Sequence, residues 1–543
     1  MAFVKHRTKF RLAAFVALSV MATLALPAAA AIASPGARPP SRDPTIAFVP
    51  LDDRPVTYQL PIMLGAIAGQ PVLSPPRDML GNYLHPGDGE AILGWLRSNQ
   101  TTDASAVVAS SDMLAYGGLV AARVPGPSAA DAFVRLRALG RLRAERAIPF
   151  VGVFGTIMRL APTGVPALGP AATYYATGQT VDDIQAYANL PDPPLTEGDR
   201  ARAARLRADI GPALDVYLAT RARDLAVDEW ALQMAADGGY DRIVLGQDDA
   251  GPVGLHLKDV TALKATVQRF GLGSRASIEP GADELGMVML ARVFARNVAW
   301  TPTVAVTYSR PDGGTTIDRL EYVPIDTTIG RIIDACGAKR VPQSADIALY
   351  VRVPDTGDED ERAFEGRLAD DVAQGRSVAV ADLSFLQGDV GPAQQELTQA
   401  LIARGIAGNI DAFASWNTDA NTIGTALPEA IAAGAGRRAG RYDPRAHAQF
   451  MLDRYADDYA FHQFVRPQLN AALRAHGIDT TLLLPEIAAQ TSDDDRAALW
   501  RHAVALLHDI YPQYADAGLT ITLPWDRTFE TQIDVRLTPA TKH

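Results

Sequence analysis

IAFVPLDDRPVTYQLP, residues 46–61, is the stretch whose reading decides the fold. Its opening run, residues 46–51, is apolar, with the β-branched and aromatic content of a strand buried on both faces. Asp52, Asp53 and Arg54 then arrive together, and Pro55 stops the ladder from continuing. Two carboxylates and a guanidinium at a strand end occupy the edge where open α/β sheets and barrels place their ligands. The commoner fate of a lone Asp-Asp-Arg is structural: the arginine pairs with one aspartate while the other caps the next helix. Recurrence of the pattern along the chain shifts the balance toward a site.

Working outward, short apolar runs alternate with long amphipathic stretches, the pattern of parallel strands joined by helices. Strands are expected at residues 72–74, 106–109, 150–154, 243–245 and 276–278, with helices at 89–97, 129–145 and 285–296. Their ends carry Ser110-Ser111-Asp112 before a Tyr116-Gly117-Gly118 turn, Gly155-Thr156 and then Arg159, Gln247-Asp248-Asp249, and Glu279 with Asp283-Glu284. Between them lies an insertion, residues 161–239, of the size that forms lids or binding walls. Tyr174, Tyr175 and Tyr187 face a ligand from it or are scattered surface tyrosines.

A second series of strands is expected at 304–308, 347–351, 378–381 and 406–410, separated by helices at 328–335, 361–373 and 394–404. The stretch Ser415-Trp416-Asn417-Thr418 follows, with Asn421 close behind; residues 428–509 read as helical and 521–537 as a hairpin around Trp525-Asp526-Arg527. No repeat of fixed period is visible. The expectation is an α/β protein of two lobes with a cleft, with one decorated (β/α)8 barrel as the alternative. Its divisions would be an N-terminal α/β domain at 45–300, a second lobe at 301–427, and a helical region with its closing hairpin at 428–543.

Ahead of the fold, Lys5, Arg7, Lys9 and Arg11 precede an apolar run, residues 12–26, and then a box of small residues. Those are the three regions of a secretory signal peptide, expected over 1–33 with a tether at 34–44, and they imply a periplasmic or secreted protein. Removing the four leader cations takes the formal charge from −11 to about −15, the wrong sign for nucleic-acid or anionic-membrane binding. No stretch is long and apolar enough for stable membrane insertion. Cys336 stands alone, which excludes an intramolecular disulfide and thiolate metal clusters; before Gly337 it reads as a buried thiol at a helix end.

The constellation is acidic groups at strand ends. Asp52, Asp53, Asp248 and Asp249 are the catalytic candidates; Arg54, Asp112, Tyr116, Arg159, Glu284, Trp416, Asn417 and Asn421 are the substrate-binding candidates. If the acids converge, some must take raised pKa values or a cation must neutralise them. A raised carboxylic acid beside an ionised one is the pair used in glycoside cleavage. Apart from a divalent cation such as Ca²⁺ or Mg²⁺, no cofactor is expected. HExxH, GxSxG, the P-loop and a strand followed by GxGxxG are all absent, and the histidines show no paired ligand spacing, although His85 and His256 each follow a strand end. On a helix, Asp453 and Asp457 share one face and Asp458 and His462 the next, for pairing with Arg454 or Arg466 at the surface.

Read together and in this order, PLDDRP, SSDMLAYGGL, GQDDAG, PGADELG, SWNTDANTIGTAL, DRYADDYAFHQFVRP and LPWDRTFE resemble the bacterial family designated domain of unknown function 4127. The resemblance covers nearly all of the chain after the leader and implies that these stretches form one unit. It brings no mechanism. From the residues, the expectation is an exported hydrolase of the glycoside hydrolase type, acting on a glycan or small molecule through strand-end carboxylates. The alternatives are a non-catalytic extracytoplasmic carbohydrate-binding protein and a metal-dependent amide or ester hydrolase.

Overall fold

Strand β1 (Ile46–Val49) is fully buried, as its composition demands, and it ends where the charged residues begin. The computed structural model describes residues 45–83, 85–163, 178–384 and 396–540. The expected leader (1–33) and tether (34–44), with Tyr174, Tyr175 and Gln394, lie outside the described residues. Around β1 assemble β2 (Val72–Leu73), β3 (Ala106–Ser110), β4 (Val151–Ile157), β5 (Arg242–Gln247) and β6 (Ala276–Pro280), in the order β2-β1-β3-β4-β5-β6. Every pairing is parallel. All C-terminal ends therefore share one edge, and the chain reverses its winding direction between β1 and β3, where open sheets of this kind hold ligands.

The second sheet contains β7 (Thr303–Tyr308), β8 (Lys339–Arg340), β9 (Ile347–Arg352), β10 (Ser377–Asp382) and β11 (Ala412–Ala414), again all parallel. Its order, β8-β7-β9-β10-β11, repeats the winding of the first five strands of the other sheet. Two open sheets replace the barrel alternative. One expected strand is corrected: residues 406–410 are a turn, and the strand is β11. Gly405, at φ 67°, ends the preceding helix, and the Ile406 amide bonds back to the Leu401 carbonyl, so the apolar residues there finish a helix cap.

The helices Leu285–Asn297 and Asp419–Ala439 pack against each other between the two sheets. One continuous apolar core runs through them, from Phe48 and Val108 on the first sheet to Leu349 and Ala381 on the second. Alanine and glycine make up half of the second helix's buried residues, and backbones approach closely there: a Cβ on Gly424 would stand 2.2 Å from Glu284 Cγ. Cys336 is buried at the end of the helix Ile325–Ala335. The C-terminal region is helical and closes with the antiparallel hairpin β12 (Tyr514–Thr522) and β13 (Gln532–Pro539). No described helix is long and apolar enough to cross a membrane.

Candidate functional site

A cavity of about 640 Å³ opens at the C-terminal edge of the first sheet. Its wall draws on every region of the fold: Arg54, Arg159, Asp248 and Asp249 from strand ends, Val181 and Asp182 from the insertion, Asn417 and Asn421 from the second lobe, and Trp525 to Phe529 from the hairpin.

After β1, Asp52 is consumed by local structure. It accepts from the Arg54 backbone amide at 3.1 Å and the Thr57 hydroxyl at 2.5 Å, shaping the turn into the next helix. Its carboxylate also holds the Arg54 guanidinium, at 3.0 Å from Nε and 2.8 Å from Nη2. Arg54 uses its other edge on Asp283, with contacts of 2.6 and 3.2 Å. One buried arginine thus ties the end of β1 to the loop after β6. Asp53 turns the other way and accepts from Trp525 Nε1 at 2.8 Å, latching the hairpin loop to the sheet. Burial, together with the Asp52 charge, raises the Asp53 carboxyl despite that bond.

After β5, the second Asp-Asp pair faces the cavity. Asp248 accepts from Arg123 Nη2 at 2.5 Å. Asp249, 30% exposed at its side chain, stands 3.6 Å from Arg159 Nη1, an ion pair longer than a hydrogen bond. Burial and the adjacent Asp248 charge push the Asp249 carboxyl up to about 6, against the pull of Arg159. Arg159 donates its Nε to the Ala161 carbonyl, which fixes the stem, and burial and the Arg123 charge lower its pKa.

The other expected residues divide. Asn417 takes a left-handed backbone conformation (φ 56°), which asparagine tolerates, and donates to Asn421 Oδ1 at 2.7 Å. Asn421 in turn donates to Glu284 at 2.7 Å. Glu284 is fully buried, pushed up to about 8 by burial, and supports the cavity wall through Asn421. Trp416 lies in the apolar core, with Nε1 bonded to Thr425, because β11 directs its ring between the sheets. Asp112 is buried and accepts from the Thr156 amide at 2.8 Å; burial and Asp224 push it up to about 7. Tyr116 packs under Arg223, whose Cζ is 4.3 Å from the ring centroid, and borders a separate pocket of about 360 Å³.

Sequence reading gives Arg123 and Glu321 no role, takes Arg466 as a surface partner for the acids around Asp457, and notes Arg527 only as part of the hairpin; all four line the wall. Glu321, in the loop after β7, is 2% exposed, accepts from the Ala420 amide at 3.0 Å, and has an Oε2 without a partner among the described residues. Burial, then Asp419, raise it well above the usual carboxylate range. Arg527 lies 4.5 Å from the Trp525 ring and 4.7 Å from Tyr83, two rings stacked at 5.0 Å, and it pairs with Glu530 at 2.7 Å. The motif around Asp457 is corrected in one respect. Asp453, Asp457 and Asp458 do pair with Arg454, at 2.6, 3.1 and 2.7 Å, but in the interior. Residues Tyr455–Val465 wind as a π-helix, which brings all three acids onto one guanidinium, and Asp458 also accepts from the Ser415 amide at 2.7 Å. Among the described residues, no group of three or more His, Cys, Asp or Glu side chains is arranged to hold a metal ion.

Comparison with known proteins gives a family and no activity. The model described as "Protein of unknown function (DUF4127)" matches residues 46–534, so the chain belongs to that family. No curated protein matches it. Among solved structures, it is similar to the crystal structure of PH0766 from Pyrococcus horikoshii OT3, at 10% identity over 72% of this chain and 98% of that one, with a TM-score of 0.16.

Proposed function

We propose that this member of the family is an exported hydrolase of the glycoside hydrolase type, with Asp249 as the proton donor and Asp248 as its carboxylate partner. The observation that carries the reading is the Asp249 carboxyl: cavity-facing, pushed up to about 6, and adjacent in sequence to a carboxylate paired with a guanidinium. A carboxyl raised by its surroundings, beside a second acid held by a guanidinium, is the arrangement that acid/base cleavage of a glycosidic bond needs. Asp249 would protonate the departing oxygen. Asp248, oriented by Arg123, would attack the anomeric carbon or activate the water that does. The stacked Tyr83 and Trp525 rings give the wall an apolar facet suited to a sugar face. Export rests on the leader composition, and N-terminal sequencing of secreted protein starting near residue 32 or 34 would support it.

The test is a glycosidase panel with wild type and Asp249→Asn. Turnover should fall by about 10²- to 10⁴-fold in the variant. In the wild type, kcat/KM should decline as pH rises through about 6, because the donor must carry its proton. Full activity in Asp249→Asn would refute the assignment. One observation favours a second reading, a non-catalytic glycan-binding protein: Asp52, Asp283, Asp248 and Asp249 each have an arginine partner. In that case no substrate turns over, and Asp249→Asn alters affinity alone.

A further inference from the structure

We infer that the ligand of this cavity is an anionic sugar, a ring bearing a carboxylate or sulfate, whose charged group seats on Arg159 between Arg123 and Arg527. The inference deepens the glycosidase reading and rests on it for the ring. The anion rests on the wall itself.

Five arginines from five separate segments, Arg54, Arg123, Arg159, Arg466 and Arg527, converge on one cavity, and among the described residues no lysine lines it. A guanidinium presents two parallel N–H donors that match a planar carboxylate, which an ammonium does not. The five are unequally occupied. Arg54 spends both edges on Asp52 and Asp283, and Arg527 forks onto Glu530 with contacts of 3.0 and 2.7 Å. Arg159 is different: among the described residues its guanidinium makes one hydrogen bond, from Nε to the Ala161 carbonyl, and one ion pair, to Asp249, stretched to 3.6 Å.

The acids on the wall do not cancel this charge. Asp182 and Asp479 stand exposed at the mouth, and Asp479 is engaged by the Thr481 amide and hydroxyl. Asp283 belongs to Arg54. Glu321 is 2% exposed and turned onto the Ala420 amide, and burial followed by Asp419 raises it well above the carboxylate range, which disfavours its charged form. The field at Arg159 is accordingly unfavourable to its own cation: burial, Arg123 and Arg527 outweigh Asp248 and Asp249, and its pKa is lowered. An anion delivered there relieves this.

The arrangement also fits the proposed chemistry. Asp249 must be protonated to act as donor, and in that form Arg159 loses its counter-ion. A substrate anion replaces it at the moment it is needed, and its proximity holds the proton on Asp249 more tightly. A neutral sugar does neither.

The experiment compares matched neutral and acidic substrates: p-nitrophenyl glucosides against glucuronides, galactosides against galacturonides, and sulfated against unsulfated glycosides, in both anomeric series. Calorimetry of the free sugars runs beside it, using wild type, Arg159→Gln and Arg159→Lys with melting curves to confirm folding. The acidic member should be preferred by roughly 10- to 100-fold in KM or Kd, the range for a charge-assisted contact. The preference should shrink with added salt, be lost in Arg159→Gln and be partly retained in Arg159→Lys. Cleavage of neutral glycosides without an acidic preference would overturn the anion while leaving the glycosidase reading intact. Arg159-dependent binding of an acidic sugar with no turnover would uphold the anion and overturn the glycosidase. Absence of both binding and turnover with every acidic sugar would overturn this inference, as would an acidic preference that survives Arg159→Gln.

Discussion

Replacing Arg54 with methionine removes one side chain and strands two buried carboxylates. Asp52 is 2% exposed and Asp283 8%, and the guanidinium is the shared cation between them. Breaking a buried ion pair by deleting one partner costs about 3–5 kcal/mol, because the remaining charge is left desolvated. With about 2.1 cal/mol/K of unfolding entropy per residue, a cooperative unit of this chain's size has an entropy on the order of 1 kcal/mol/K, so the expected fall in Tm is about 3–5 °C. The loss must depend on pH. Burial already raises Asp283, and Arg54 is the largest influence pulling it back, so deleting Arg54 raises it further. A carboxyl whose folded pKa exceeds its unfolded value destabilises the fold increasingly as pH rises between the two, and costs nothing below both. The assay is differential scanning calorimetry at pH 4.5, 6 and 8. Arg54→Met should be most destabilised at pH 8, and adding Asp283→Asn should recover part of the loss. A deficit of equal size at all three pH values, with no recovery in the double variant, would refute the account of Arg54 as a charge clamp.

Trp525→Phe deletes the 2.8 Å bond to Asp53 and should cost about 1 kcal/mol, with faster amide exchange confined to the hairpin loop; unchanged exchange there would show the latch to be inert. His256 is fully buried, and burial followed by Arg221 lowers it to about 4, so the fold should lose stability as pH falls from 6.5 toward 4, by about 3 kcal/mol in total. His256→Phe should flatten that acid limb in urea titrations. Gly424→Ala forces a Cβ against Glu284 and should lower stability by about 1–3 kcal/mol, read as a shifted urea midpoint.

Much of the scaffold was legible because buried parallel strands must be apolar and must end abruptly. β1, β3, β5 and β6 announce themselves that way, and the acids after them do share one edge. What residue types alone could not convey is who neutralises whom. Arg123 and Arg527 sit in loops and Arg466 opens the helix Arg466–Ala475, all far in sequence from the strand-end acids, and nothing local marks them as wall residues. Glu321 sits among exposed-looking polar residues, and only the fold reveals its burial. Trp416 and Asn417 are adjacent yet part company, one into the core and one onto the cavity, because the backbone takes a left-handed turn at Asn417, which residue types alone do not announce. The matching order of the two sheets was invisible as a repeat because strand order constrains chain path, not residue identity.

The interlayer helix Asp419–Ala439 has a consequence for how anything reaches the cavity. It packs on the second sheet and on the helix Leu285–Asn297, which itself lies on the first sheet, so swinging one lobe away from the other would pull apart the close helix–helix contact at the centre of one continuous apolar core. The jaws are welded. Asn417 and Asn421, at the N-terminal end of that helix, therefore present a fixed stop rather than a moving gate. Any movement that admits a ligand therefore falls to the parts of the wall outside that weld: the helix Gly178–Ala188 of the insertion, and the hairpin loop hooked to the sheet through Asp53 and Trp525.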